Sequence, residues 1–355
     1  MIRYKPIWLL AGLLCLALTI AAVILLRDDP WKRHMVAGAA AYQQGKYAEA
    51  AKQIRAAVEE AREFGPADRR LAASLNNLAA IFDAQGKYAE AEPLHQRALA
   101  IREKALGSEH PDVAQSLNNL AEVYGAQARY AEAEPLHKRA LAIREKALGP
   151  EHPDVALSLN NLGALYHTQG KYTEAEPLYK RALVIREKAF GSEHSDVAQS
   201  LNNLAELYKD QGHYAEAEPL YQRTIKIDEE VLGPDHPDLA IELNNLAVLY
   251  ESQGRYAEAE PLFQRAMKID EEVLGPNHPN VGIRLNNLAA LYKAQGHYAE
   301  AEPLYQRSLA IREKVLGPEH PDVATSLENY AALLREPSAN HALSFCYVNG
   351  SQMRS

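Results

Sequence analysis

Apolar positions along this chain fall into blocks that recur. In residues 285–322, Leu285, Leu288 and Tyr292 are spaced by three and four, which places them on one helical face. Gln295-Gly296-His297 interrupts that face, and a glycine there supplies the left-handed dihedrals of a helix end. A second helical pattern follows, with Tyr298, Ala301, Leu304, Tyr305, Leu309 and Ile311 as its main apolar residues. Leu316-Gly317 closes it, and His320-Pro321-Asp322 opens the next first helix. Proline suits a first helical position because its missing N–H would be unpaired there, and Asp322 adds negative charge at the positive end of the helix dipole. The spacing predicts a helix–turn–helix unit.

That unit repeats. LNNLA or LNNLG begins at Leu75, Leu117, Leu159, Leu201, Leu243 and Leu285, each 42 residues from the last, and a degenerate LENYA begins at Leu327. A fixed period of this length predicts one supersecondary unit stacked on itself. Neither helix is apolar enough to fold alone. Stacking buries a continuous core, worth roughly 1.5–3 kcal/mol per large apolar side chain. Residues 72–323 hold six regular copies. Residues 31–71 form a diverged first copy whose second helix is expected to be one residue short. Residues 324–336 read as a lone first helix, and 337–355 as an irregular tail.

Three local departures carry expectations. Ala128 stands where other copies have the inter-helix glycine, which predicts strain of about 1 kcal/mol in that turn. Ser195 and Asn280 replace the Pro and Asp of the HPD loop in two copies and should not break the stack. Pro93, Pro135, Pro177, Pro219, Pro261 and Pro303 lie near the start of each second helix. The expectation is that this helix begins only at the preceding glutamates, where a proline costs little.

The order Leu285, Leu288, Ala289, Tyr292, Gly296, Tyr298, Ala301, Tyr305 resembles the tetratricopeptide pattern, with leucine in place of its tryptophan. The 42-residue period, tandem asparagines, AEPLY run and LGxxHPD loop look more specifically like the repeats of kinesin light chains and their bacterial relatives. The resemblance covers about residues 31–336. It implies an all-α, right-handed α-solenoid with an extended concave surface.

Residues 7–26 are a 20-residue apolar run without charge, the length of a bilayer-spanning helix. A cleaved signal peptide needs a shorter apolar core and a small-x-small site at its end, whereas this run ends Val-Ile-Leu-Leu-Arg. The expectation is an uncleaved, single-pass anchor after a short tail of residues 1–6, with the repeats on the non-cytoplasmic, periplasmic side. Formal net charge is −9, which argues against nucleic acid as a partner. The two cysteines, Cys15 and Cys346, imply no disulfide framework.

By the resemblance, the first helices line the concave face and bind extended peptides. Asn77, Asn119, Asn161, Asn203, Asn245 and Asn287 match the family position whose amide contacts the bound peptide backbone. Asn76, Asn118, Asn160, Asn202, Asn244 and Asn286 precede them and are candidates with them. An amide offers a donor and an acceptor, so it holds a peptide bond without reading sequence. The alternative for both sets is that the amides tie neighbouring helices together. Variable positions one and two turns on, such as Glu122, His167, Glu206 and Lys209, are not a cluster of cations. A neutral or mixed peptide is therefore expected rather than a clamped C-terminal carboxylate.

The recurring His110, His152, His194, His236, His278 and His320 sit one repeat apart, too far for one ion's bonds of ~2 Å, and read as helix-start devices. No nucleophile–histidine–acid set or phosphate-cradling loop lies outside the repeat register, and no cofactor or metal is called for. The expected function is a non-catalytic, membrane-anchored scaffold for protein or peptide ligands. The alternatives are a self-associating structural solenoid, joined through its incomplete last helix, or an envelope-assembly chaperone.

Overall fold

The computed structural model describes residues 29–336, and within them every element is a helix. The chain runs α1 (Pro30–Gln43) and α2 (Tyr47–Arg62), α3 (Arg69–Asp83) and α4 (Tyr88–Leu106), α5 (Pro111–Ala126) and α6 (Tyr130–Leu148), α7 (Pro153–Thr168) and α8 (Tyr172–Phe190). It continues with α9 (Ser195–Asp210) and α10 (Tyr214–Val231), α11 (Pro237–Ser252) and α12 (Tyr256–Leu274), α13 (Pro279–Ala294) and α14 (Tyr298–Leu316), and ends on α15 (Pro321–Leu334). The segment 7–26 and the tail 337–355 lie outside the described residues. Among the described residues no helix is long and apolar enough to cross a membrane.

Each first helix after α3 starts at the His-x-Asp/Asn loop. The histidine itself is the N-cap: His110 Nδ1 accepts from the Asp112 N–H at 3.1 Å, and His152, His194, His236, His278 and His320 do the same at 3.1–3.2 Å. An N-cap acceptor satisfies one of the orphan N–H groups of the first turn. Ser195 and Asn280 leave this cap intact. Ala128 takes the glycine's role at φ +59°, the one non-glycine residue with positive φ among those described.

The prolines do not mark helix starts. α4 begins at Tyr88, five residues before Pro93, and the other regular second helices also carry their proline inside. Pro93 removes the bond that Ala89 C=O would accept. Both residues are exposed, so water can take the freed carbonyl. In the first copy, α2 has 16 residues against 19 in α4, so the shortening exceeds the single residue expected.

The core runs between the helices as a series of linked clusters. Leu75, Leu117, Leu159, Leu201, Leu243 and Leu285 are at most 2 % exposed, and Ala79, Ala121, Ala205, Ala247 and Ala289 are fully buried, letting backbones approach. At the N-terminal end Trp31 donates to Ser74 Oγ at 2.8 Å and packs on the first cluster. On the outer side Arg139–Glu103, Arg181–Glu145, Arg223–Glu187, Arg265–Glu229 and Arg307–Glu271 form a ladder between second helices at 2.5–2.8 Å. These pairs are solvated and each is worth little.

The stack coils back onto itself. Gly45, in the α1–α2 turn, lies against His278 and Pro279, more than five repeats later. Gly86 lies against His320 and Pro321 in the same way. The corresponding turn glycines at 170, 212, 254 and 296 meet nothing within 4 Å. One superhelical turn is therefore completed within the described residues.

Candidate peptide-binding groove

Successive first helices touch: α3 with α5, α5 with α7, and so on to α13 with α15. Among the described residues no pair of successive second helices packs as closely. Helices that crowd lie on the inside of a curve, so the first helices form the concave face.

The two asparagines of each pair take different places on that face. Asn76, Asn118 and Asn160 are buried and donate to Ser116, Ser158 and Ser200 Oγ of the next first helix at 3.2–3.4 Å. Their carbonyl oxygens meet His95 Nδ1 at 3.1 Å and His137 Nδ1 at 2.9 Å, whereas Asn160 Oδ1 has no partner because Tyr179 replaces the histidine. Beyond Asn202 the seam changes form. Asn202, Asn244 and Asn286 accept from the amides of Asn245, Asn287 and Asn329 at 2.9–3.2 Å.

The second asparagines lie nearer solvent. Asn77 is exposed and Asn119, Asn161, Asn203, Asn245 and Asn287 are half-buried. Asn77 and Asn203 make no side-chain hydrogen bond among the described residues. Asn119 accepts from Gln115 at 2.7 Å, and Asn161 donates to Glu122 at 2.9 Å. Asn77, Asn161 and Asn203 line cavities of about 340, 330 and 410 Å³ between neighbouring first helices.

The groove is acidic. Glu122 reaches solvent but is crowded by its neighbours, and that desolvation raises its pKa, with His95 opposing and Asp83 adding to the shift. Burial likewise raises Glu251. Glu242 is 7 % exposed and its pKa is pushed well above the carboxylate range, first by burial and then by Asp228, Glu206 and Asp238. His167 Nε2 lies 2.9 Å from Asp210 Oδ2, and Lys209 is 3.3 Å from the same carboxylate.

Sequence reasoning passed over one set of residues, the arginines that lock four of the second helices to the next first helix. Arg102, Arg144, Arg186 and Arg312 donate to Ser116, Ser158, Ser200 and Ser326. The signal was present as breaks in the period: SLNN becomes ELNN at Glu242 and RLNN at Arg284, and IRE becomes IDE at Asp228 and Asp270.

The profile of the tetratricopeptide repeat matches residues 34–104, 70–146, 112–188, 154–230, 196–272, 238–314 and 285–343. A comparison with curated protein sequences finds no match. Among solved structures, BtubC (BKLC) from P. vanneervenii is 28 % identical with a TM-score of 0.53, over 63 % of this chain and 91 % of that one. A kinesin-light-chain-like protein of nearly identical repeats from Podosopora anserina is 31 % identical over 59 % of this chain and 97 % of that one, with a TM-score of 0.47. A Rap protein complexed with competence and sporulation factor shares the fold at 20 % identity and a TM-score of 0.61, over 81 % of this chain and 76 % of that one. With its profile matched along nearly the whole stack, the chain belongs to the tetratricopeptide repeat family and carries repeats of the kinesin-light-chain-like kind.

Proposed function

We propose that this protein is a non-catalytic scaffold that holds an extended peptide or protein segment in the concave groove. The observation that carries the reading is the exposed or half-buried row of second asparagines on successive first helices, three of which, Asn77, Asn161 and Asn203, line cavities. A peptide backbone running across the first helices presents a carbonyl and an N–H at intervals, and each amide can take one of each. The seam asparagines Asn76, Asn118, Asn160, Asn202, Asn244 and Asn286 hold the helices at that spacing.

Anchoring by residues 7–26, with the repeats on the non-cytoplasmic side, is part of the same proposal and rests on the apolar run alone. A protease added to spheroplasts should then digest a tag placed after residue 355. A second reading, end-to-end association through α15, is favoured by the exposure of Leu327 and Leu334. It predicts a concentration-dependent mass.

The test is an affinity pull-down with the full chain beside a variant carrying alanine at Asn77, Asn119, Asn161 and Asn203. Loss of partners from a variant with unchanged helical content supports the groove. Equal recovery by both would move the working surface elsewhere.

A further inference from the structure

In four repeats a guanidinium donates through Nη1 to a serine and a carbonyl of the next first helix, and in one of them it also reaches the preceding first helix. Arg144 Nη1 donates to Ser158 Oγ at 2.9 Å and to Asp154 C=O at 3.2 Å, and its Nη2 donates to Gln115 Oε1 at 2.9 Å. Arg102, Arg186 and Arg312 make the serine and carbonyl bonds in their own repeats. Between α10 and α11 the arginine position holds Asp228 and the serine position holds Glu242. The other two acceptor positions are kept, as Asp238 and Gln199. These four residues line a single cavity of about 410 Å³, together with Asn202 and Asn203 of the groove.

The next repeat carries the same kind of exchange but completes it internally. Asp270 Oδ2 and Arg284 Nε are 2.9 Å apart, and both side chains are buried. Asp228 and Glu242 have no such partner. Glu242 is 7 % exposed, lines the cavity, and its Oε2 makes no hydrogen bond. Asp228 is 4 % exposed and forms no side-chain hydrogen bond or ion pair among the described residues. Buried carboxylates without a counter-charge are costly, and a cation within hydrogen-bond reach relieves them.

We propose that this cavity receives the guanidinium of an arginine side chain from a partner peptide lying in the groove. The peptide part of this inference rests on the groove reading; the cation part does not. The fit is to arginine because the same positions hold a guanidinium through Nη1 in four repeats, and through Nη2 as well at Arg144, and Asp228 and Glu242 add the negative charge that a foreign guanidinium requires. Among the described residues no three potential ligand side chains group as a metal site.

Ionisation of the pair couples to binding. Burial, then Asp238, raises Asp228 to about 6, with His236 opposing. Glu206 on α9 and Asp238 on α11 also face Glu242. Arg284 on α13 opposes them, but its hydrogen bond goes to Asp270. An arriving guanidinium favours the ionised carboxylates, so affinity rises as pH increases through about 6.

The first arm titrates the full chain, in mild detergent, with methylguanidinium chloride at constant ionic strength, using tetramethylammonium as control. The comparison variants are D228R/E242S, which recreates the pair found in four other repeats, and E242Q. Circular dichroism establishes that each is folded. The expected result is saturable binding by the wild type, weakened at least tenfold in both variants. Equal titration curves would overturn the site. The second arm pans a random extended-peptide library against the same proteins. Arginine enriched at one position for the wild type and not for D228R/E242S supports the proposal, and lysine enriched equally would overturn the choice of guanidinium. Peptides without a basic position would overturn the site while leaving the groove. Saturable methylguanidinium binding with no peptide recovered supports the cation site and overturns the groove reading.

Discussion

Asn118 donates its side-chain amide to Ser158 Oγ, 3.3 Å away on the next first helix, and meets His137 Nδ1 through its carbonyl oxygen at 2.9 Å. It is wholly buried, while Asn119, the next residue, is half-buried and bonds only within its own helix. One residue of the pair joins repeats and the other faces the groove. N118A should therefore cost about 1–3 kcal/mol, because it leaves buried polar partners unpaired. N119A should stay within about 0.5 kcal/mol. Urea denaturation of the two variants decides it, and equal losses would refute the division of roles.

His137 makes the same seam sensitive to acid. Burial pushes its pKa down to about 4, against about 6.5 in an unfolded chain. The folded state binds the proton more weakly, so this histidine's contribution is complete above about pH 6.5. It is lost as pH falls from there toward 4. The full loss is about 3 kcal/mol at the conversion of 1.36 kcal/mol per unit. H137Y installs the residue that Tyr179 and Tyr221 provide in later repeats and should flatten stability between pH 6.5 and 4. An unchanged pH slope would remove His137 as the cause.

The repeat unit, its stacking and the starts of its first helices were legible in the sequence because period and capping are local signals. Ala128 at positive φ and the outer arginine–glutamate ladder follow from the same register. The proline position was not legible. Nothing in YAEAEP distinguishes a helix that starts at the tyrosine from one that starts at the glutamates, and the cost of an exposed mid-helix proline is offset by packing on the far face. The contact of Gly45 with Pro279 was hidden for another reason: it depends on a small rotation per repeat, accumulated over more than five repeats. The two asparagines of a pair differ by about 100° around the helix axis. Sequence alone leaves open which of them faces the seam.

Ala128 is a site where one substitution should stabilise. Its φ of +59° places a Cβ in the left-handed region, and Arg129 after it pairs with Glu92 and Glu132 and stacks on Tyr124, which holds the turn in that conformation. A128G should raise stability by about 1 kcal/mol, less whatever glycine adds to the unfolded chain's entropy. A thermal scan that shows a lower midpoint would mean that the turn is not strained.

The closure of the superhelical turn can be isolated by two glycines with nearly the same backbone. Gly45 and Gly254 have φ of +67° and +73°, so alanine at either carries a similar conformational penalty of about 1 kcal/mol. Their surroundings differ. A Cβ at Gly45 would stand 2.9 Å from Pro279 Cδ, too close for a real contact, whereas one at Gly254 meets nothing within 4 Å. G45A must therefore push the α1–α2 turn away from the loop that starts α13, and G254A need not. Tyr88 and Asp322 lie along the same line of contact, where burial, then Asp83 and Asp322, raise the tyrosine's pKa. Hydrogen exchange should speed up at the first turns of α13 and α15 in G45A and remain unchanged there in G254A. If both variants leave those amides as protected as in the wild type, the turn-to-turn contact contributes nothing to order in the groove, and the first helices are held by their neighbours alone.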